Sequence, residues 1–153
     1  MPTGEIHHKA WKVGWLSIIP TGIIGAWYIH PVVGAGILVG YTLGRWCDPD
    51  WDQITITNSE SRIVNDFKIV GYVLVGYTTI YGAVFRRLHR SFFTHFPFLS
   101  TGIRLVYLFW WLYFFIPVLY DWQIVFGISV WIGLSAADTI HWFLDKSGKY
   151  LEQ

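Results

Sequence analysis

Long apolar runs, broken by short polar stretches, form the pattern of this chain. Four of the runs are predicted to be membrane-spanning helices, since a crossing needs ~20 apolar residues, with a tolerated range of roughly 17 to 25. They cover Val13–Ile29, Val32–Trp46, Leu99–Tyr120 and Trp122–Ala137. His30-Pro31 and the link around Asp121 interrupt the pattern. The four runs are therefore expected to form two helical hairpins.

The second run carries a glycine at every fourth position. Gly36, Gly40 and Gly44 are separated mainly by Ile, Leu and Val, which argues against a flexible loop. Such a stripe of small residues lets a neighbouring helix approach backbone to backbone. We therefore expect Val32–Trp46, which is short for a full crossing, to be a helix packed closely on another one.

A further apolar segment, Ile69–Phe85, is long enough to cross but includes Thr78, Thr79 and tyrosines. If it does not cross, all eleven Lys and Arg residues fall on or near one side, and the two opposite turns carry none. Positive residues favour the cytoplasmic side. A fifth crossing would split them between both faces. The pattern therefore favours four transmembrane helices plus one in-plane or re-entrant helix, with a fifth crossing as the alternative.

Composition agrees with a lipid environment. The 153 residues are 54% hydrophobic, 20% aromatic and 14% charged, whereas soluble domains carry about 25% charged residues. The length suits one domain, residues 1–153. A net charge of +1 argues against a nucleic-acid partner, which calls for a concentrated basic face. No small-residue cleavage site follows the first run, so we expect that run to be retained. The predicted class is an all-α integral membrane helical bundle.

Polar residues concentrate in four clusters, all of which reach the cytoplasmic edge in the four-crossing topology. The clusters are GEIHHK with His7 and His8, CDPDWDQ with Asp48, Asp50 and Asp52, HRSFFTH with His89 and His95, and ADTIHWFLD with Asp138, His141 and Asp145. The chain has only six histidines and ten acidic residues. Their grouping therefore predicts a common site, although each residue alone could be a solvated or capping group.

The spacing within the clusters adds local detail. Asp138, His141 and Asp145 fall at i, i+3 and i+7, so a helix places them on one face. Ionisable groups that deep in a membrane helix are costly unless they have partners. Imidazole and carboxylate together suit zinc first, with manganese or iron as alternatives. A water bound to such an ion reaches a pKa of ~7 and becomes a nucleophile, while the planar donors of Arg90 suit a phosphate.

The motifs MPTGEIHHK, CDPDWDQ and HRSFFTHFP, followed by the Arg104 segment, resemble in order a bacterial and archaeal family of membrane proteins described as metal-binding. That family shows Met-Pro-Ser/Thr-Gly with a following His, then Pro-Asp-x-Asp, then His-Arg-Ser-x-x-Ser/Thr-His. The likeness covers roughly residues 1–110. ADTIHWFLD also resembles the Asp-x-x-His ending of related membrane-bound metal-dependent hydrolases, which are thought to be distant relatives of zinc-dependent phospholipase C. Ser91 replaces a glycine frequent in those hydrolases and fits the metal-binding branch better.

This resemblance implies residue roles and a cell-membrane location. It implies metal or catalytic roles for His7, Asp50, Asp52, His89, His95, Asp138 and His141, and supporting roles for Arg90 and Ser91. The predicted metal ligands are His7, Asp50, Asp52, His89, His95 and His141, and the predicted catalytic groups are Arg90 and Asp138. The expected function is metal-dependent hydrolysis of a phosphoester or lipid headgroup at the cytoplasmic face. The alternative is a non-catalytic protein in which the ion ties helix ends together.

Overall fold

The computed structural model describes residues 4–47, 49–52, 56–85, 96–115 and 120–151. Within these ranges the protein is all-α, as predicted, with six α-helices and no strand. The helices are α1 Gly4–Tyr28, α2 Pro31–Leu43, α3 Asn58–Phe67, α4 Ile69–Phe85, α5 Pro97–Phe109 and α6 Asp121–Leu151. Two short 3-10 helices, Pro49–Asp52 and Trp110–Phe114, lie in the connections.

The first two helices form the hairpin expected at His30-Pro31. Pro31 occupies the first turn of α2, where its missing N–H costs no hydrogen bond. His30 caps the same helix, because its Nδ1 accepts a hydrogen bond of 3.2 Å from the backbone N–H of Val32. The break in the apolar pattern thus coincides with a capped helix start.

The glycine stripe of α2 packs against α6. A Cβ added to Gly40 would overlap the backbone of Val130, and one added to Gly36 would overlap Ser129. From the other side, Gly133 faces the backbone of Ile37 in the same way. The predicted close helix–helix contact is confirmed, and it fixes α2 and α6 side by side.

The segment Asn58–Phe85 forms a pair of helices, of which only the second was predicted. α4 has the bounds predicted for the apolar segment, whereas α3 was not predicted. α3 begins with a capping box in which Thr57 and Glu60 bond each other's backbone N–H. Lys68, with φ 54°, turns the chain between the helices. α3 and α4 contact each other closely, because Gly71 meets the backbone of Ile63.

Two further boundaries differ from the expectations. The run predicted as Leu99–Tyr120 is α-helical only to Phe109 and continues as a 3-10 helix, while residues 116–119 lie outside the described ranges. α6 does not stop near Ala137 but runs to Leu151. The second difference matters for the site, since it keeps the last polar cluster on one rigid helix.

One described helix is long and apolar enough to cross a membrane by length and composition, over Asp121–Ser147 of α6. α2 and α4 are apolar but shorter. The 13 residues of α2 span only ~20 Å at 1.5 Å per residue, short of a hydrocarbon core of ~30 Å. Large apolar side chains are nevertheless exposed along most helices, as Val13, Val73 and Phe114 illustrate.

Candidate metal centre

The C-terminal half of α6 carries the helical part of the site. Asp138, His141 and Asp145 lie on the same helix, as their spacing predicts. His141 is buried, and its Nε2 lies 3.2 Å from Oδ2 of Asp145, one turn further on. Asp145 is half-buried.

His7 reaches this pair from the start of α1. Its Nε2 lies 3.3 Å from Oδ1 of Asp145, so the two oxygens of one carboxylate face two different imidazoles. The rings of His7 and His141 stack with centroids 4.1 Å apart and planes 27° apart. One ligand atom from each of the three residues can be chosen so that all lie within 4.8 Å of one another.

A reciprocal pair of hydrogen bonds holds this end of α1 in place. The hydroxyl of Tyr41 donates to the carbonyl of Trp11 over 2.7 Å, and the indole N–H of Trp11 donates to the carbonyl of Tyr41 over 3.0 Å. Tyr41 is fully buried near the end of α2. Because His7 lies one turn before Trp11, the bond pair keeps its ring against α6.

The 3-10 helix Pro49–Asp52 adds a second carboxylate. Oδ2 of Asp50 lies 3.6 Å from Nε2 of His141. The 3-10 helix therefore brings Asp50 to the same imidazole that Asp145 contacts. Three of the four polar clusters, each from a different part of the chain, meet at this point.

The donor chemistry fits a divalent cation. Two imidazoles and one carboxylate form a set used by catalytic zinc sites and by non-haem iron sites. Within the described residues, Nδ1 of His7 is buried without a hydrogen-bond partner. Nε2 of each imidazole lies close to the Asp145 carboxylate, so two nitrogen donors and one oxygen donor face one another at this point. His7, His141 and Asp145, with Asp50 beside them, are the residues that would hold it.

Electrostatics at the adjacent His8 favour its neutral form. The pKa of His8 is lowered. Burial is the largest cause, and the positive charges of Arg62, Lys12 and Arg45 lower it further. The ring of His8 stacks on Trp11 at 5.7 Å between centroids. His8 thus supports the start of α1 and adds no positive charge near the cluster.

Asp138, predicted as a catalytic group, lies in a different environment one turn before His141. It is buried, and its Oδ2 accepts hydrogen bonds from Arg104 and from the hydroxyl of Thr101. Arg104 is fully buried and also donates to the carbonyl of Cys47 over 2.7 Å. Arg104 and Asp138 thus join α5, α6 and the segment that follows α2, which gives Asp138 a structural role beside its predicted one.

Several predicted site residues lie beyond what the structure describes. His89, Arg90, Ser91 and His95 fall in residues 86–95, outside the described ranges, and the side chain of Asp52 is not described either. Their assignment as ligands or catalytic groups stays a prediction from the sequence.

Two residues of this region were not among the predicted site residues. Asp145 shares the helical face of Asp138 and His141, but its position near the C-terminal tail suggested a solvated helix end. Arg104 stands alone among apolar residues of α5, and an isolated arginine in such a run signals a buried acidic partner.

Comparison of the chain with protein-family models, with curated proteins and with solved structures finds no match.

Proposed function

We propose that this chain is an integral membrane protein that binds a divalent metal ion, with zinc as the favoured ion. It uses this ion to hydrolyse a phosphoester or lipid headgroup. The observation that supports the proposal is the convergence of His7, His141 and Asp145, whose ligand atoms lie within 4.8 Å of one another. These residues come from opposite ends of the chain. Ionisable residues are rare in an apolar bundle and mark functional sites when they cluster.

The bilayer placement is supported by the outward apolar side chains and by the candidate span in α6. In the proposed topology α1, α2, α5 and α6 cross, with the bilayer thinned around the short α2, and α3 and α4 lie at the inner surface. The 13 residues of α5 and the five residues of the following 3-10 helix together span about 30 Å. The site then faces the cytoplasm of a bacterial or archaeal cell, on the side that carries the Lys and Arg residues.

The protein side chains divide the chemistry among them. A bound zinc ion supplies a Lewis acid and brings the pKa of its water to ~7. Two histidines and one carboxylate would give the ion three protein ligands, the number found in catalytic zinc sites. Asp50, with Oδ2 3.6 Å from Nε2 of His141, is the carboxylate placed to accept a proton from an attacking water. Arg90 is predicted to bind the negative charge of the substrate.

A non-catalytic role is the second candidate, and one observation favours it. His7 lies on α1 whereas His141 and Asp145 lie on α6, so an ion between them would tie the two ends of the chain together. If Asp50 completes the coordination, no position is left for water, and the ion is structural.

The first experiment is metal analysis of the detergent-purified protein after incubation with Zn²⁺ and removal of excess ion. We expect about one zinc per chain in the wild type and in His30→Asn, since an asparagine can still cap α2. His141→Asn, the matched change in the cluster, should lose the zinc. Wild-type protein without zinc, or equal zinc in both variants, contradicts the proposed site.

The second experiment separates the two candidate functions. Zinc-loaded protein in detergent is tested on p-nitrophenyl phosphate esters and on phospholipid vesicles, with and without chelator. Hydrolysis that chelator abolishes and that Asp50→Asn lowers supports the hydrolase. Stable zinc binding that raises the melting temperature but gives no hydrolysis supports the structural role.

A further inference from the structure

A buried chain of hydrogen bonds ends one residue away from Asp50. Trp51 is 2% exposed, and its indole N–H donates to Oγ of Ser59 over 3.2 Å. Ser59 is fully buried, and its hydroxyl lies 2.9 Å from that of Thr57. The hydroxyl of Thr57 lies 3.2 Å from Oε2 of Glu60, which also accepts the Thr57 backbone N–H over 2.8 Å.

The chemistry of the groups gives this chain a direction. An indole N–H can only donate, so the Ser59 hydroxyl accepts this hydrogen bond and can donate its own to the Thr57 hydroxyl. The Thr57 hydroxyl in turn donates a hydrogen bond to the carboxylate of Glu60. The other oxygen of Glu60 lies 2.6 Å from the hydroxyl of Thr78 on α4. Such a directed network fixes the positions of its members, because each lost bond leaves a buried polar group unsatisfied.

The network also fixes the orientation of the short 3-10 helix. Trp51 belongs to a buried cluster with Cys47, Ile63 and Leu134, and its ring meets Tyr81 edge-on with centroids 6.5 Å apart. Successive residues of a 3-10 helix point about 120° apart. With the Trp51 ring held by Ser59 and Tyr81, the preceding side chain points in another direction, and Asp50 reaches His141 of α6.

We propose that Trp51, Ser59 and Glu60 are positioning residues that hold the Asp50 carboxylate at the metal site. The inference rests on the proposed function, since it assumes that an ion binds at His7, His141 and Asp145. A carboxylate charge beside the ion raises its affinity, either by direct contact or through a water. Loss of an orienting partner of this kind typically lowers metal affinity 10–100-fold.

The test is the affinity of the full-length detergent-purified protein for Zn²⁺, measured by chelator competition. Ser59→Ala removes the acceptor and leaves the Trp51 ring packed, and we expect affinity to fall about 10-fold. The control is Ser61→Ala, an exposed serine on the same helix, which should bind zinc as the wild type does. Asp50→Asn should lose at least as much affinity as Ser59→Ala.

Non-additivity distinguishes positioning from general destabilisation. If Ser59 acts through Asp50, the double variant D50N/S59A should bind zinc no more weakly than D50N alone. The visible spectrum of the Co²⁺-loaded S59A protein should shift toward that of D50N. Multiplied losses in the double variant, or a wild-type affinity for S59A, would overturn the inference.

A second pair of variants keeps the test decisive if S59A does not fold. Trp51→Phe removes the indole N–H and keeps an aromatic ring in the cluster, and it should lower zinc affinity as S59A does. Trp46→Phe removes an indole N–H that bonds Asp66 over 2.8 Å, and it should leave affinity unchanged. Equal losses in both variants would contradict the inference. Wild-type protein that binds no zinc refutes the proposed function instead, so the two failures are distinguishable.

Discussion

Asp138 and Asp145 lie seven residues apart on the same helix, yet their surroundings differ. Asp138 is buried and faces the guanidinium of Arg104, a permanent cation, together with the hydroxyl of Thr101. Asp145 is half-buried and faces the imidazoles of His7 and His141. Arginine cannot lose its proton in a protein, whereas a neutral imidazole offers a lone pair.

The difference separates a structural carboxylate from one that can bind a ligand. The charge of Asp138 is compensated within the protein, so that site has no need of a cation. The charge of Asp145 faces two imidazoles and no permanent cation among the contacts described above, so a bound cation would add the compensating charge. The following predictions test this division, from the largest expected effect to the smallest.

Removing the guanidinium should give the largest effect. In Arg104→Met, Asp138 stays buried without its cation, and we expect the free energy of unfolding to fall by about 3–5 kcal/mol. Denaturant titration in detergent measures it. The double variant R104M/D138L, which removes both charges, should recover most of the loss. A loss below ~1 kcal/mol in R104M would mean that the pair contributes little to the fold.

The same kind of change at the metal site should affect binding rather than folding. Asp145→Asn should lower zinc affinity about 100-fold, which corresponds to about 2.7 kcal/mol. The metal-free protein should lose less than ~1 kcal/mol of stability, since the carboxylate is partly exposed. Asp121→Asn, at the opposite end of α6, is the control and should bind zinc normally. Strong destabilisation of metal-free D145N would contradict the division.

A smaller effect should follow when Asp138 loses only its neutral donor. Thr101→Val keeps the shape of the buried side chain and removes the hydroxyl. Because Arg104 remains, we expect a loss of about 1 kcal/mol in the free energy of unfolding. Zinc affinity should not change, which metal titration of the same sample checks. A loss as large as that of R104M would shift the main role from the ion pair to the hydroxyl.

The smallest effect is expected at a third carboxylate, on the protein surface. The indole N–H of Trp46 and then the guanidinium of Arg45 hold the pKa of Asp66 below its ordinary value of 3.8. A lowered pKa in the folded state stabilises the protein above the ordinary pKa, and this contribution is lost as the pH falls through the folded pKa. Trp46→Phe should raise the pKa of Asp66, measured by NMR titration. Its effect on stability through Asp66 should be largest above about pH 3.8 and should fade as the pH falls through the folded pKa. An unchanged pKa would show that the indole contributes nothing.

Periodicity and residue spacing predicted much of the architecture. The apolar run Ile69–Phe85, the break at His30-Pro31 and the glycine stripe of α2 all correspond to observed elements, because each depends on local sequence. α3 was missed, although Thr57 and Glu60 have the spacing of a capping box. Its polar composition hid it from a search for apolar runs.

The sequence predicted which residues belong to the site more reliably than it predicted which of them contact one another. Joining His7, Asp50 and His141 requires the packing of three distant segments, and only the expected topology suggested it. The pairing of Asp138 with Arg104 could not be predicted, because spacing along a helix does not reveal which neighbouring helix supplies a counter-charge. For the same reason the sequence did not separate the role of Asp145 from that of Asp138.

X-ray absorption spectroscopy of the zinc-loaded protein tests the central claim most directly, because it reports the ligands of the ion. We predict a shell of nitrogen and oxygen atoms at about 2.0–2.2 Å, with the scattering pattern of two imidazoles and without sulfur. In His7→Asn the imidazole contribution should fall to one ring. A sulfur ligand at about 2.3 Å, or an unchanged spectrum in that variant, would contradict the assignment of the ion to His7, His141 and Asp145.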